Sequence, residues 1–128
     1  MRKNEEIIQN VVCARLKKKY PNVLYRVDLG GIKLTQGQAV KNSKIQKCRA
    51  WPDIFIAEKR KNFGGFFLEI KKNRSSVYTL KNKLKKDKHI LEQYLMLKLL
   101  EKQGFFCRFG LGEDNCNELI DFYLNLLK

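Results

Sequence analysis

Three side chains able to support hydrolysis, Asp53, Glu69 and Lys71, fall within one short stretch of this sequence, from Trp51 to Lys72. The stretch opens Trp-Pro-Asp-Ile-Phe-Ile-Ala, crosses a basic turn from Glu58 to Gly64, and resumes as Gly-Phe-Phe-Leu-Glu-Ile-Lys-Lys. Its apolar, β-branched and aromatic content predicts two strands, Asp53–Ala57 and Gly65–Lys71. Antiparallel pairing centred near Lys61 sets Asp53 opposite Glu69, each 8 residues from the centre. Strand alternation then puts Glu69 and Lys71 on one face and turns Leu68 and Ile70 into a core. Two carboxylates and an ammonium at one end of an otherwise apolar hairpin form a site for a hard divalent cation with a charge partner. The competing reading is a structural salt bridge, to which an isolated Glu-x-Lys in a strand more often belongs.

That donor set implies a particular chemistry. Phosphodiester hydrolysis requires neutralisation of developing negative charge and a water made nucleophilic near neutral pH, and a divalent metal supplies both. Magnesium prefers oxygen ligands and keeps several waters, so Asp53, Glu69 and the backbone carbonyl of Ile70 suffice as protein ligands. Manganese, with similar ligand preferences, is expected to substitute. Lys71 beside the ion can orient the attacking water or stabilise a phosphorane-like transition state.

The composition points to a polyanionic partner. Of 128 residues, 27 are Lys or Arg and 13 are Asp or Glu, a formal charge of +14. The excess lies before Gly104, because Gly104 to Lys128 holds two basic and four acidic residues. Basic side chains flank the hairpin on both sides: Lys33, Lys41, Lys44, Lys47 and Arg49 before it, and Lys72, Arg74, Lys81, Lys83, Lys85 and Lys86 after it. These are candidate phosphate contacts, against the ordinary alternative of solvated charge. The length suits one domain, residues 1–128, with a single core. No apolar run approaches the roughly 18 residues that would cross a membrane, and the N-terminus lacks a signal-peptide pattern. Cys13, Cys48, Cys107 and Cys116 form no CxxC pair and none has zinc-like spacing to His89. They read as reduced, mostly buried thiols of an intracellular protein.

The remaining elements must position the hairpin. Asn4 can cap a helix over residues 5–19, with Ile8, Val12 and Leu16 as its buried stripe and Pro21 ending it. Glu5 and Glu6 in its first turn complement the helix dipole. Val23–Asp28 reads as a strand broken by Gly30-Gly31, and Ile32–Ala50 reads as a polar, basic loop. After the hairpin, Asn73–Lys88 reads as a lysine-rich excursion. Asp87 can then cap a helix through Gln103, with Ile90, Leu91, Tyr94, Leu95, Leu97 and Leu100 apolar, Gln93 among them, and Gly104 as its stop. A strand over Phe105–Phe109, a turn at Gly110-Leu111-Gly112, and a helix over Asp114–Leu127 complete the chain. The order predicts an α/β sandwich with a mixed sheet.

Pro-Asp opening one strand and Glu-x-Lys ending the next resembles the PD-(D/E)xK nuclease superfamily. The wider pattern is similar to its virus-type replication-repair nuclease branch, VRR-NUC, over nearly the whole chain. Glu6 and Gln9, Gly30-Gly31, Pro52-Asp53, Glu69-Ile70-Lys71, Gln93, and Leu100 with Gly104 occur in that branch's order. The chain departs from it with Asp28-Leu29 before the glycines and with a longer basic stretch before Gln93. The resemblance implies a restriction-endonuclease-like αβββαβ sandwich, with Glu6 joining the metal ligands and Gln93 the catalytic set, Glu5 being the alternative register for Glu6. It further implies Mg²⁺-dependent cleavage of DNA, by a stand-alone homodimer resolving branched DNA such as four-way junctions, in a bacterial or phage-infected cell. Two alternatives stand beside it: a nuclease acting on flaps, ends or single strands in phage replication, repair or restriction, and a non-catalytic basic DNA-binding module.

Overall fold

A computed structural model describes residues 3–28, 34–47 and 50–128. Gly30, Gly31, Lys33, Cys48 and Arg49 lie outside the described residues. The elements run α1 (Lys3–Lys19), β1 (Tyr25–Val27), α2 (Gln36–Ile45), β2 (Ile54–Ile56), β3 (Phe66–Lys71), α3 (Lys88–Lys102), β4 (Phe106–Leu111) and α4 (Glu113–Leu124). A single 3₁₀ turn at Arg74–Ser76 lies between β3 and α3. The strands form one sheet in the order β1-β2-β3-β4, antiparallel at the first two pairings and parallel between β3 and β4. The chain is therefore α/β with a mixed sheet flanked by helices.

β3 is the centre of this arrangement, every residue of it being buried. Phe66, Leu68 and Ile70 face a core shared with Val12 and Leu16 of α1 and with Cys116, Ile120, Tyr123 and Leu124 of α4. Phe67, on the other face, packs with Cys107 of β4 and with Leu97 and Leu100 of α3. Complete burial of such side chains stabilises by about 1.5–3 kcal/mol each. Packing is tight enough that Gly110 admits no side chain: a methyl there would collide with the Cys116 sulfur and fall 2.9 Å from Leu68. Gly110 and Leu111 consequently belong to β4 and not to the turn expected there, which is left to Gly112. Burial pushes the Cys107 and Cys116 thiols up to about 12.

The hairpin register is the one anticipated. Ile54 pairs with Leu68, Phe55 with Phe67 and Ile56 with Phe66, so the next position would set Asp53 against Glu69. α3 also starts and stops as its residues suggest, with the Asp87 side chain accepting from the His89 and Ile90 N–H groups and Gly104 at φ +96° just past its end.

Two further expectations are corrected, and the basic excursion gains a structure. Ile32–Ala50 is not all loop, because α2 begins there on a capping box. The Thr35 side chain accepts from the Gln38 N–H while the Gln38 side chain accepts from the Thr35 N–H. The helix buries no residue, which is why hydrophobic periodicity does not reveal it. The expected broad apolar face of α3 is narrower: Ile90, Leu97 and Leu100 are buried, whereas Leu91, Leu95 and Leu99 are exposed. The basic excursion after β3 is folded. Fully buried Val77 anchors it, Tyr78 bridges Leu84, and the Lys85 N–H donates to the Val77 carbonyl at 2.8 Å.

α1 and α4 are tied by one carboxylate. Asp121 accepts from Arg15 at 2.6 Å, the Tyr20 hydroxyl at 2.7 Å and Lys19 at 3.2 Å. The Arg15 hydrogen bond, with help from Tyr20 and Lys19, holds the Asp121 carboxyl down at about 2. Its value in the unfolded chain is near 3.8. A carboxyl depressed on folding contributes stability above its unfolded value and loses it as pH falls through the folded one. Asp121→Asn is therefore expected to cost about 1–2 kcal/mol in urea unfolding near neutral pH, given charged hydrogen bonds of ordinary strength. The deficit relative to the parent should shrink as pH falls from 3.8 to about 2.

Candidate active site

The site begins where β2 ends. Pro52 is buried and has no N–H to give, so the backbone ladder stops at Ile54. Asp53 continues the pairing with its side chain: Oδ2 accepts from the Ile70 N–H at 2.7 Å. Its backbone carbonyl accepts from the Asp28 N–H at 2.9 Å, on the β1 side. Asp53 is thus fixed through its backbone on the β1 side and through its carboxylate on the β3 side, beside Glu69.

Glu69 and Lys71 project from β3 to the face opposite Leu68 and Ile70, and both are almost enclosed, at 4% and 7% exposure. Burial is the main cause that pushes the Glu69 carboxyl well above the usual carboxylate range, followed by its hydrogen bond with Asp53 and the Asp53 charge. Lys71 opposes this shift, and the charge of Glu5 adds to it. A buried carboxyl beside a second carboxylate is a group that takes a proton or a cation.

Lys71 opens onto a cavity of about 520 Å³, whose wall includes Glu5, Ser76, Lys85, His89 and Gln93. The structure brings Glu5 to this wall and leaves Glu6 exposed on the helix surface. Of the two registers considered for α1, it therefore places the Glu5 side chain toward Glu69. Gln9, one turn on from Glu5 along the same helix face, is buried. The side-chain oxygens of Gln9 and Gln93 are enclosed with no protein hydrogen-bond partner. Gln93 thus borders the cavity, while its side-chain oxygen is enclosed without a protein partner.

The other basic candidates lie around this centre. Lys41 and Lys44 are exposed on α2 and Lys47 just beyond it. Lys72, Lys81, Lys83 and Lys86 are exposed on the far side of the hairpin, while Lys85 lines the cavity itself. Arg74 is engaged within its own loop, donating to Asn82 and lying 4.9 Å over the Tyr78 ring. Ser76 and His89 were not anticipated at the cavity; the folded loop and the first turn of α3 carry them there, and sequence spacing gives no signal for either.

The donors present suit a metal that keeps most of its waters. Among the described residues no group of three His, Cys, Asp or Glu side chains is arranged to hold an ion. Asp53 and Glu69 are nonetheless in contact, and the adjacent Ile70 carbonyl and the Glu5 carboxylate are the nearest candidates to add oxygen. Two carboxylates with carbonyl and water oxygens match magnesium, not a closed structural site.

A solved structure described as a VRR_NUC domain protein has the same fold, with a TM-score of 0.68 and 20% identity. The likeness covers 100% of this chain and 93% of that one. No family model and no characterised protein matches the sequence. Among the described residues no helix is long and apolar enough to cross a membrane.

The Glu69 environment has a measurable consequence for stability. A carboxyl raised on folding contributes stability below its unfolded value, near 4.5, that is lost as pH rises through the folded value. Glu69→Gln is therefore expected to raise the melting temperature of the metal-free protein near pH 8. That advantage should fade as the pH is lowered toward 4.5. Thermal melts in EDTA across this range test it, and a destabilised Glu69→Gln at high pH would contradict the assignment.

Proposed function

We propose that this protein is a divalent-metal-dependent deoxyribonuclease of the VRR-NUC type. The observation that carries the reading is the enclosed Asp53–Glu69–Lys71 cluster beside a cavity in a chain of formal charge +14. A carboxylate pair repels the polyanion that such a chain attracts unless a cation stands between them. The fold shared with a VRR_NUC domain protein supports the same reading.

Asp53 and Glu69 would hold Mg²⁺, with Mn²⁺ substituting, and the Ile70 carbonyl and Glu5 would complete the protein's share of ligands. When bound, the ion supplies charge neutralisation and a water of lowered pKa. The chain's own residues do the positioning. Asp53 is locked by the Ile70 N–H, so its carboxylate needs little rearrangement on binding. Lys71 stands beside Glu69 with its ammonium screened from solvent, where it can hold the attacking water or a phosphate oxygen. Gln93 lines the same cavity, where its amide would approach the water. Lys41, Lys44, Lys47, Lys72, Lys81, Lys83, Lys85 and Lys86 would grip phosphates without reading bases, so affinity should fall steeply with salt. The substrate proposed is branched DNA such as a four-way junction. Cutting two strands symmetrically needs two sites, which a homodimer supplies.

A second reading, a basic DNA-binding module whose buried cluster is structural, draws on the lack of a three-carboxylate group among the described residues. A panel of four-way junction, flap, single-strand and duplex substrates with Mg²⁺ separates the two. Cleavage of the junction should fall by about 10²-fold or more in Asp53→Ala, Glu69→Ala and Lys71→Ala, as expected for loss of groups acting on transition-state charge. Glu5→Ala should impair cleavage and Glu6→Ala should leave it near the parent level. Unchanged cutting by Asp53→Ala would end the site assignment, and preferential cutting of flaps or single strands would replace the junction as substrate. Because the raised Glu69 carboxyl must lose its proton to an incoming ion, the Mg²⁺ concentration for half-maximal activity should fall as the pH is raised above the usual carboxylate range.

A further inference from the structure

The chain's single tryptophan, Trp51, stands two residues before Asp53 and keeps 36% of its surface exposed. Its ring centroid lies 5.7 Å from that of Phe67, which in turn stacks on Phe55 at 4.4 Å. Phe67 projects to the same face of β3 as Glu69 and Lys71, because residues two apart share a face. Trp51 thus joins an aromatic cluster whose Phe67 is two residues from Glu69 along β3.

The outer side of Trp51 is open. Between it and α2 lies a cleft of about 950 Å³, lined among others by Asn42, Ser43, Lys44, Lys47 and Asp28. A smaller hollow of about 260 Å³ on the sheet side brings Arg26 near the same ring. A tryptophan serving only to close the core would be covered, yet α2 buries no residue and leaves the cleft between them. An aromatic face beside two lysines, an amide and a hydroxyl is suited to a flat base carrying a phosphate. Stacking on such a face is tolerant of sequence, because every base presents a π-surface.

We propose that Trp51 is a stacking platform for an unpaired base of the bound strand, with Lys44 and Lys47 holding the neighbouring phosphates. The base would sit next to the position of the phosphate presented to Asp53 and Glu69. The platform takes only a base that has left its stack, as one can at the branch point of a junction or in a flap or single strand. This inference deepens the nuclease reading and rests on it only for the identity of the partner.

The test uses the full chain in EDTA, where binding is read apart from cleavage. Labelled oligo(dT), an abasic strand of the same length, and a blunt duplex are titrated, with anisotropy reporting binding and tryptophan emission reporting stacking. Oligo(dT) should quench Trp51 at saturation, and the bound abasic strand and duplex should leave its emission unchanged. Trp51→Ala should weaken oligo(dT) binding roughly tenfold, the scale of one lost base stack, with the abasic affinity unaltered. Trp51→Phe, which keeps a ring against Phe67, should retain most of the affinity. Equal weakening of abasic and oligo(dT) binding by Trp51→Ala, or saturation by oligo(dT) without quenching, overturns the platform. Mg²⁺-dependent cleavage measured in parallel decides the nuclease reading separately, so loss of either leaves the other readable.

Discussion

The hydrogen bond from the Ile70 N–H to the Asp53 carboxylate is the contact on which the geometry of the site depends. In the observed register the residue opposite Ile70 is Pro52, and the N–H is taken by a side chain and not by the backbone. This exchange ends β2 as a strand and begins the site at the same point. It fixes one Asp53 oxygen within the peptide network, where a charged acceptor forms the stronger class of hydrogen bond. The carboxylate is thereby held against Glu69, with Lys71 two residues on along the same face. Without the lock, the Asp53 side chain would be free to swing away from Glu69.

Holding that cluster in place works against stability, and the rest of the molecule offsets it. Glu69 and Lys71 are nearly enclosed, and an isolated charge in such surroundings is costly unless paired. β3 tolerates them because its other face is packed by α1 and α4, and because Phe67 seats the start of the same face against α3 and β4. The Asp121 node joins α1 to α4 with three donors. The Tyr123 hydroxyl adds a bond of 2.6 Å to the Glu58 carbonyl in the hairpin turn. Arg60 ties that turn to Glu58 and to the Leu126 carbonyl near the C-terminus. The hairpin is thus clamped at its turn by α4 and its following residues, leaving its open end to carry the unfavourable charges.

How far the sequence discloses this arrangement follows from the physics of each element. The hairpin register is legible because a one-residue slip would turn Leu68 and Ile70 to the wrong face, and the Asp53–Glu69 juxtaposition comes with it. α3 is legible through its Asp87 cap and Gly104 stop. α2 was not, since it buries nothing and rests on a capping box, although Thr35 and Gln38 carry that box in their spacing. The choice between Glu5 and Glu6 turns on the angle at which α1 crosses the sheet, a tertiary quantity that two adjacent acids on one helix do not encode. Leu91 and Leu95 mislead for the related reason that α3 has more apolar surface than β3 and β4 cover. The folding of the basic loop rests on buried Val77, one apolar residue among lysines.

The distribution of charge acquires a spatial sense from the fold. The acidic last quarter of the chain is partly consumed by structure: Asp121 is engaged between α1 and α4, and Glu113 and Asp114 lie in the first turn of α4, where the helix dipole favours them. Among the described residues, the lysines of α2 and most of those of the folded loop are exposed, and these two elements flank the hairpin in sequence. Lys85 carries that frame down to the cavity wall beside Lys71. An acidic pair therefore lies next to Lys71 in a chain whose basic residues flank the hairpin on both sides in sequence. A divalent ion at that point would offset the charge the pair gains on losing its proton and so ease the approach of a polyanion.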